Sequence, residues 1–283
     1  MKSKAVRWLA VAVTVMGLSA CVSVSDKEDP LAENIIDEAD LNDLMLIAAD
    51  PSDAVRYFDQ ALAHEPDRAD FRRGLAISLS RDKRYTEAAR VFQELITLDQ
   101  DRPADRLEYA FVAIRLDRWD DVRTLSQSFP DGLQTPRRYS VDAMVADQDN
   151  DWAAADAAYA QAERLTSNPA VVLNNWGVSQ MSRGDLSAAE ATFRRAVSFD
   201  ARLFSAKNNL AIVRGLQGQY NLPLVPLNDE ERAVLLNNLG IIAMRLGDER
   251  IARGLFAAAV DAHPQYYASA ADKLAVLEAV VQN

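Results

Sequence analysis

Small apolar residues recur along the chain at an interval close to 34 residues, from about residue 35 to residue 266. One series of small residues is Ala76, Ala110, Ala143, Gly177, Ala211 and Gly240. A second series is Ala54, Ala88, Val122, Ala155, Ala189 and Ala252. Large side chains follow the second series by four positions at Phe58, Phe92, Tyr159, Phe193 and Phe256, and Ser126 is the exception. Small residues let two helices approach closely, and large ones fill the space beside them.

This period is typical of a helix pair repeated along a solenoid. Alanine dominates the apolar residues and β-branched runs are scarce, which favours helices over strands. The pattern resembles the tetratricopeptide repeat (TPR). The resemblance implies an all-α, right-handed TPR solenoid of about seven helix pairs over residues 35–266, and residues 267–283 are expected to form a capping helix.

The sixth repeat, residues 204–232, is predicted to be irregular. After Gly218 the sequence continues QYNLPLVPLNDEE, and the following repeat begins five residues early. Pro223 and Pro226 are incompatible with an ordinary second helix because proline removes a backbone donor and clashes with the preceding turn. We therefore expect an extended segment at residues 219–228.

The N-terminus has the features of a secretory signal over residues 1–20. Lys2, Lys4 and Arg7 precede an apolar stretch that is too short to span a bilayer. The tetrapeptide LSAC, which ends at Cys21, resembles the bacterial lipobox. This resemblance implies cleavage before Cys21 and acylation, such as palmitate, on the cysteine. The alternative is an ordinary signal peptide with an incidental cysteine.

If Cys21 is acylated, the protein is anchored to a membrane without crossing it, since more than one acyl chain gives stable binding. Residues 21–34 are then a polar tether. Position 22 is Val, which in similar lipoproteins implies an outer-membrane location facing the periplasm. Removal of residues 1–20, which hold three basic and no acidic residues, changes the formal net charge from −11 to −14. Such a surface disfavours nucleic acid as a partner.

No group of residues indicates an enzyme, a cofactor or a metal site. Cys21 is the only cysteine, so disulfides contribute nothing. The only histidines, His64 and His263, each precede or lie close to a proline at the end of a repeat, and no HExxH spacing or third ligand accompanies them. We expect no catalytic residue and no bound metal.

Three asparagine pairs interrupt otherwise apolar helices, although asparagine is a poor residue for a helix interior. They occur in LNNWG, KNNLA and LNNLG. The second asparagines, at roughly 150° from the core-facing direction of the helix, are Asn175, Asn209 and Asn238. The first asparagines, nearer the flank, are Asn174, Asn208 and Asn237. The pairs predict a groove whose amides bind an extended peptide backbone. The alternative is that they only bond neighbouring helices.

The lipobox, the TPR pattern and residues 168–280 together resemble the TadD-type lipoproteins of tight-adherence (Flp) pilus assembly. The resemblance implies an outer-membrane TPR lipoprotein that binds a protein partner, such as the pilus secretin or another assembly component, and has no chemistry of its own. The alternative function is a TPR adaptor that docks envelope enzymes such as peptidoglycan hydrolases.

Overall fold

The structure is a computed structural model that describes residues 38–263, 265 and 267–281. The predicted signal peptide (1–20), the lipid attachment site at Cys21 and the tether (21–34) lie outside the described residues. Side chains are described from residue 41 to residue 277, apart from residues 264 and 266.

The described residues form fourteen α-helices and no β-strand. In chain order they are α1 (Glu38–Ile47), α2 (Pro51–His64), α3 (Ala69–Arg81), α4 (Tyr85–Thr97), α5 (Pro103–Arg115), α6 (Trp119–Gln127), α7 (Pro136–Gln148), α8 (Trp152–Arg164), α9 (Ala170–Ser182), α10 (Leu186–Phe199), α11 (Phe204–Leu216), α12 (Asp229–Arg245), α13 (Glu249–Ala262) and α14 (Ala268–Val281). None of them combines the length and the apolar character that crossing a bilayer requires.

The helices form a solenoid of pairs, which confirms the predicted all-α fold class. The first helices of the repeats are α1, α3, α5, α7, α9, α11 and α12, and each contacts the next one in this series. The second helices α2, α4, α6, α8, α10 and α13 each pack against the first helix of their own repeat, and α14 packs on α13. Only α11 has no second helix of its own.

Members of the first series of small residues meet the large side chains that follow the second series where a first helix crosses its second helix. A Cβ atom on Gly177 would lie 2.6 Å from Cε1 of Phe193, and one on Gly240 would lie 2.7 Å from Cε1 of Phe256. Both phenylalanines are completely buried. The glycines therefore allow the first helix to rest directly on an aromatic ring of the second.

The sixth repeat continues from α11 into a non-helical stretch at residues 217–228, which contains both prolines. Val225 in this stretch packs against a core cluster formed by α9, α10 and α11. The buried Lys207 holds the far end, because its Nζ donates to the carbonyl of Pro226 at 3.0 Å and to the carboxylate of Glu231 at 2.7 and 2.8 Å. The stretch is thus tied to both α11 and the start of α12.

Replacement of Gly240 by alanine is expected to lower the free energy of unfolding by about 1–3 kcal/mol, since the new Cβ must displace the Phe256 ring. Gly254 in α13 is the matched control, because a Cβ there would meet nothing within 4 Å. Gly254→Ala is expected to raise the free energy of unfolding by about 0.5–1 kcal/mol through helix propensity. Urea unfolding followed by circular dichroism measures both. Equal effects of the two changes would contradict the close packing.

Candidate functional site

The second asparagine of each pair lies on the side of its helix that faces away from the second helices. Asn175 and Asn238 each precede by two positions a glycine that touches a second-helix ring. Two residues correspond to a rotation of about 200° around a helix, so the amides point to the opposite side. Asn209 has the same relation to Ala211, which is fully buried. All three second asparagines are half-buried and reach the surface.

The first two asparagine pairs form one hydrogen-bond network between α9 and α11. Asn209 Nδ2 donates to Asn174 Oδ1 at 3.0 Å, and Asn174 Nδ2 donates to Asn175 Oδ1 at 3.4 Å. Asn174 is buried, so these contacts satisfy an amide that would otherwise be costly to bury.

A second network joins α11 to α12. Asn237 Nδ2 donates to Asn238 Oδ1 at 3.3 Å, and Asn238 Nδ2 donates to Asn208 Oδ1 at 2.7 Å. Asn237 is buried and Asn208 is half-buried. The asparagine pairs therefore do bond neighbouring helices, as the alternative interpretation of the sequence expects.

The networks also leave amide groups unused at the surface. Within the described residues, Nδ2 of Asn175, Nδ2 of Asn208 and Oδ1 of Asn209 make no hydrogen bond to the protein. These three residues are half-buried rather than enclosed, so two donors and one acceptor remain available to a ligand. Bonding between helices and binding of a partner are thus compatible roles for the same amides.

Residues one or two turns from each second asparagine share its side of the helix, because positions i−4, i+3 and i+7 lie within about 60° of position i. We call this surface the amide face. It consists of Val171, Asn175, Val178 and Ser182 on α9, Ser205, Asn209, Ile212 and Leu216 on α11, and Val234, Asn238, Ile241 and Arg245 on α12.

None of the twelve residues of the amide face is buried. Three of its aliphatic side chains are exposed, at 60% for Val171, 40% for Val178 and 39% for Leu216. Arg245 is the only ionisable residue among the twelve, in a chain of which 26% is charged. The amide face is therefore an apolar and amide surface almost without charge.

A cleft of about 300 Å³ continues the amide face towards α7. Met144, Asn175 and Val178 line its apolar and amide side. Asp147 also lines the cleft and accepts hydrogen bonds from Ser179 Oγ at 2.6 Å and from Tyr159 OH at 2.9 Å.

Burial raises the pKa of Asp147 above its ordinary value of 3.8, although the two hydroxyl donors act in the opposite direction. Burial and the neighbouring Asp147 also raise the pKa of the Tyr159 hydroxyl. In the sequence pattern Tyr159 is only a large residue of the repeat, and the periodicity does not identify Asp147. The sequence does contain one signal for a polar partner of Tyr159, because a buried tyrosine at a position where other repeats have phenylalanine needs a hydrogen-bond partner.

The described residues include no group of three or more His, Cys, Asp or Glu side chains that could hold a metal ion. His64 ends α2, and His263 follows α13 and stacks on Tyr267. The two histidines thus belong to the first and the last helix pairs of the described solenoid.

Comparison with known proteins identifies the repeat. Residues 48–103 match a family model described as a tetratricopeptide repeat, and no curated protein sequence matches the chain. Together with the solved structures that share the architecture, this match confirms the predicted tetratricopeptide-repeat solenoid.

Three crystal structures have the same fold. A tetratricopeptide repeat protein from Parabacteroides merdae ATCC 43184 is 13% identical with a TM-score of 0.56, over 84% of this chain and 96% of that chain. PilW, titled a widely conserved type IV pilus biogenesis factor, is 18% identical with a TM-score of 0.54, over 73% and 98%. A chain of the APC/C hetero-tetramer Cut9–Hcn1 is 15% identical with a TM-score of 0.57, over 84% and 48%, so this chain spans about half of its length. Identities this low show the fold alone.

The Asp147 carboxyl is expected to titrate at a higher pH than the Asp200 carboxyl, whose pKa hydrogen bonds from Arg202 lower. Because the folded-state pKa of Asp147 is raised, the ionised carboxylate costs stability at neutral pH. This cost disappears as the pH falls through the raised pKa towards 3.8. Carbon-13 NMR of the side-chain carboxyls measures both midpoints. A midpoint for Asp147 at or below that of Asp200 would contradict the buried environment.

Proposed function

We propose that this protein is an outer-membrane-anchored TPR scaffold whose amide face binds a polypeptide segment of a partner during assembly of a Flp-type pilus or its secretin. The observation that carries the proposal is the amide face itself. It exposes aliphatic side chains and unused amide groups on consecutive first helices. Exposed apolar patches bordered by polar groups are typical of interaction sites.

The amide face is suited to binding a polypeptide rather than to catalysis. The asparagine networks fix the amide orientations before a partner arrives, which reduces the entropy lost on binding. An amide can donate to a carbonyl and accept from an N–H group, so the face can pair with main-chain groups of many sequences.

Attachment to the outer membrane through acylated Cys21 is supported by the LSAC sequence and by Val22. Residues 21–34, as a polar tether, would give the solenoid room to reach partners near the membrane surface. The scaffold would then act from the periplasmic side of the membrane.

The role in pilus assembly is supported by two resemblances. Residues 168–280 resemble the TadD-type lipoproteins of tight-adherence pili. One structure with the same fold is titled PilW, a widely conserved type IV pilus biogenesis factor. Both resemblances involve proteins of pilus systems, so the pilus secretin or another assembly component is the proposed partner.

Cells that express the chain are expected to incorporate radiolabelled palmitate into it, because the lipobox-like sequence LSAC ends at Cys21. Cys21→Ala should abolish the label and release the protein from the outer-membrane fraction. Autoradiography of the immunoprecipitated protein makes the measurement, and Ser19→Thr is a nearby control that keeps the cysteine. Persistent label in Cys21→Ala would contradict lipid attachment at this residue.

Deletion of the gene is expected to abolish surface pili and to reduce secretin multimers. The wild-type gene and Val276→Asp, a change on α14 away from the amide face, should restore both. Val178→Asp should not, because it places a charge on the amide face. Electron microscopy counts the pili, and immunoblots detect the multimers. Normal piliation with altered cell-wall cleavage would contradict this role and favour the adaptor for peptidoglycan hydrolases.

A further inference from the structure

Resting on the proposed function, we infer that the segment recognised by the amide face is extended, uncharged and internal to the partner chain, with apolar side chains directed at α9, α11 and α12. The proposal specifies partner chemistry at this face through three features of the structure. They are the near absence of charge, the unused amide groups and the distance across three neighbouring helices.

The near absence of charge on the amide face disfavours partner segments that carry charged groups. A lysine or a carboxylate buried against Ile212, in the middle of the face, would lose its hydration and find no opposite charge. Arg245 at the end of α12 is the only ionisable residue of the face, and Asp147 lies in the cleft at the other end, beside Val178. A chain terminus carries a charge of its own, so an internal segment fits better. The formal net charge of −11 further disfavours acidic segments at long range.

The unused amide groups favour an extended segment over a helix. A helical partner satisfies its own backbone groups internally and would leave Asn175 Nδ2 and Asn209 Oδ1 without partners in the interface. An extended segment exposes N–H and C=O groups that these amides can pair with.

The apolar part of the face complements such a segment. Alternate side chains of an extended chain point to the same side. Those that point towards the protein would contact the aliphatic side chains of Val178, Ile212 and Ile241, each of which lies three positions after a second asparagine. One side of the segment is therefore apolar, and its backbone lies near the amides.

The length of the segment follows from helix spacing. Packed helices lie about 8–10 Å apart, so three neighbouring first helices span about 20 Å. An extended chain covers that distance with about six residues at about 3.3 Å each. The cleft between α7 and α9 can add room for one further side chain beside Met144.

Peptide binding to the full lipidated chain in lipid nanodiscs tests the inference, with empty nanodiscs as the blank. Four acetylated, amidated and fluorescently labelled eight-residue peptides are compared. The first alternates Val or Ile with Ser or Thr. The second and third have the sequence of the first with two central residues replaced, by aspartates in the second and by lysines in the third. The fourth contains mainly Ala and Leu and is stapled as a helix.

The first peptide is expected to bind about tenfold more tightly than each of the others, as measured by fluorescence anisotropy. Val178→Asp should weaken binding of the first peptide about tenfold and strengthen binding of the lysine peptide, because the new carboxylate places an opposite charge on the face itself. Val276→Asp makes the same chemical change on α14 and should alter neither. Circular dichroism of each variant verifies that the helices are intact.

Equal binding of the charged or helical peptides would overturn the inference, and so would no binding by any of the four. Capture of envelope proteins by the same nanodiscs shows whether the proposed function fails together with the inference about the segment. A partner that is captured by the wild type and by Val276→Asp, but not by Val178→Asp, leaves the proposed function standing even when the peptide preference fails. Capture that is unaffected by Val178→Asp contradicts both the inference and the proposed function.

Discussion

The contact between a small residue of the first helix and an aromatic ring of the second determines the remaining geometry of this protein. Gly177 on Phe193 and Gly240 on Phe256 bring two helices together with no space for a Cβ atom. This contact also fixes the rotation of each first helix about its own axis. Because a helix turns 100° per residue, the residue two positions earlier must face the other way. The orientation of Asn175 and Asn238 is therefore a consequence of core packing.

The asparagine pairs combine stability and recognition in the same side chains. An asparagine inside a helix is unfavourable, and burial of Asn174 adds a desolvation cost. The bond from Asn209 to Asn174 offsets part of this cost and couples two consecutive repeats. Each amide has more hydrogen-bonding groups than the networks use. The bonds that hold the helices together also orient Nδ2 of Asn175 and Oδ1 of Asn209 towards the surface, whereas Oδ1 of Asn237 is buried without a partner.

Much of this architecture follows from sequence periodicity, and the rest depends on contacts between distant residues. The 34-residue interval predicts the helix pairs, and helix geometry predicts the side on which Asn175 lies. The contact of Asp147 with Ser179 spans 32 positions, and that of Lys207 with Glu231 spans 24. Such contacts require the relative register of packed helices, which periodicity alone does not provide. For the same reason periodicity places the asparagine pairs on a face and allows bonds between neighbouring helices, but it does not tell which asparagine bonds which.

The sixth repeat shows on which side of the solenoid a helix can be replaced by a non-helical segment. Its second helix is missing, yet Asn238 still bonds Asn208 at 2.7 Å across α11 and α12. Gly215 allows this direct packing, since a Cβ there would lie 2.9 Å from Leu239. The ion pair of Lys207 with Glu231 holds the substitute segment in place. The interruption therefore affects only the second-helix side of the solenoid. The row of first helices that forms the amide face continues through the sixth repeat. A binding surface that spans several repeats requires this continuity.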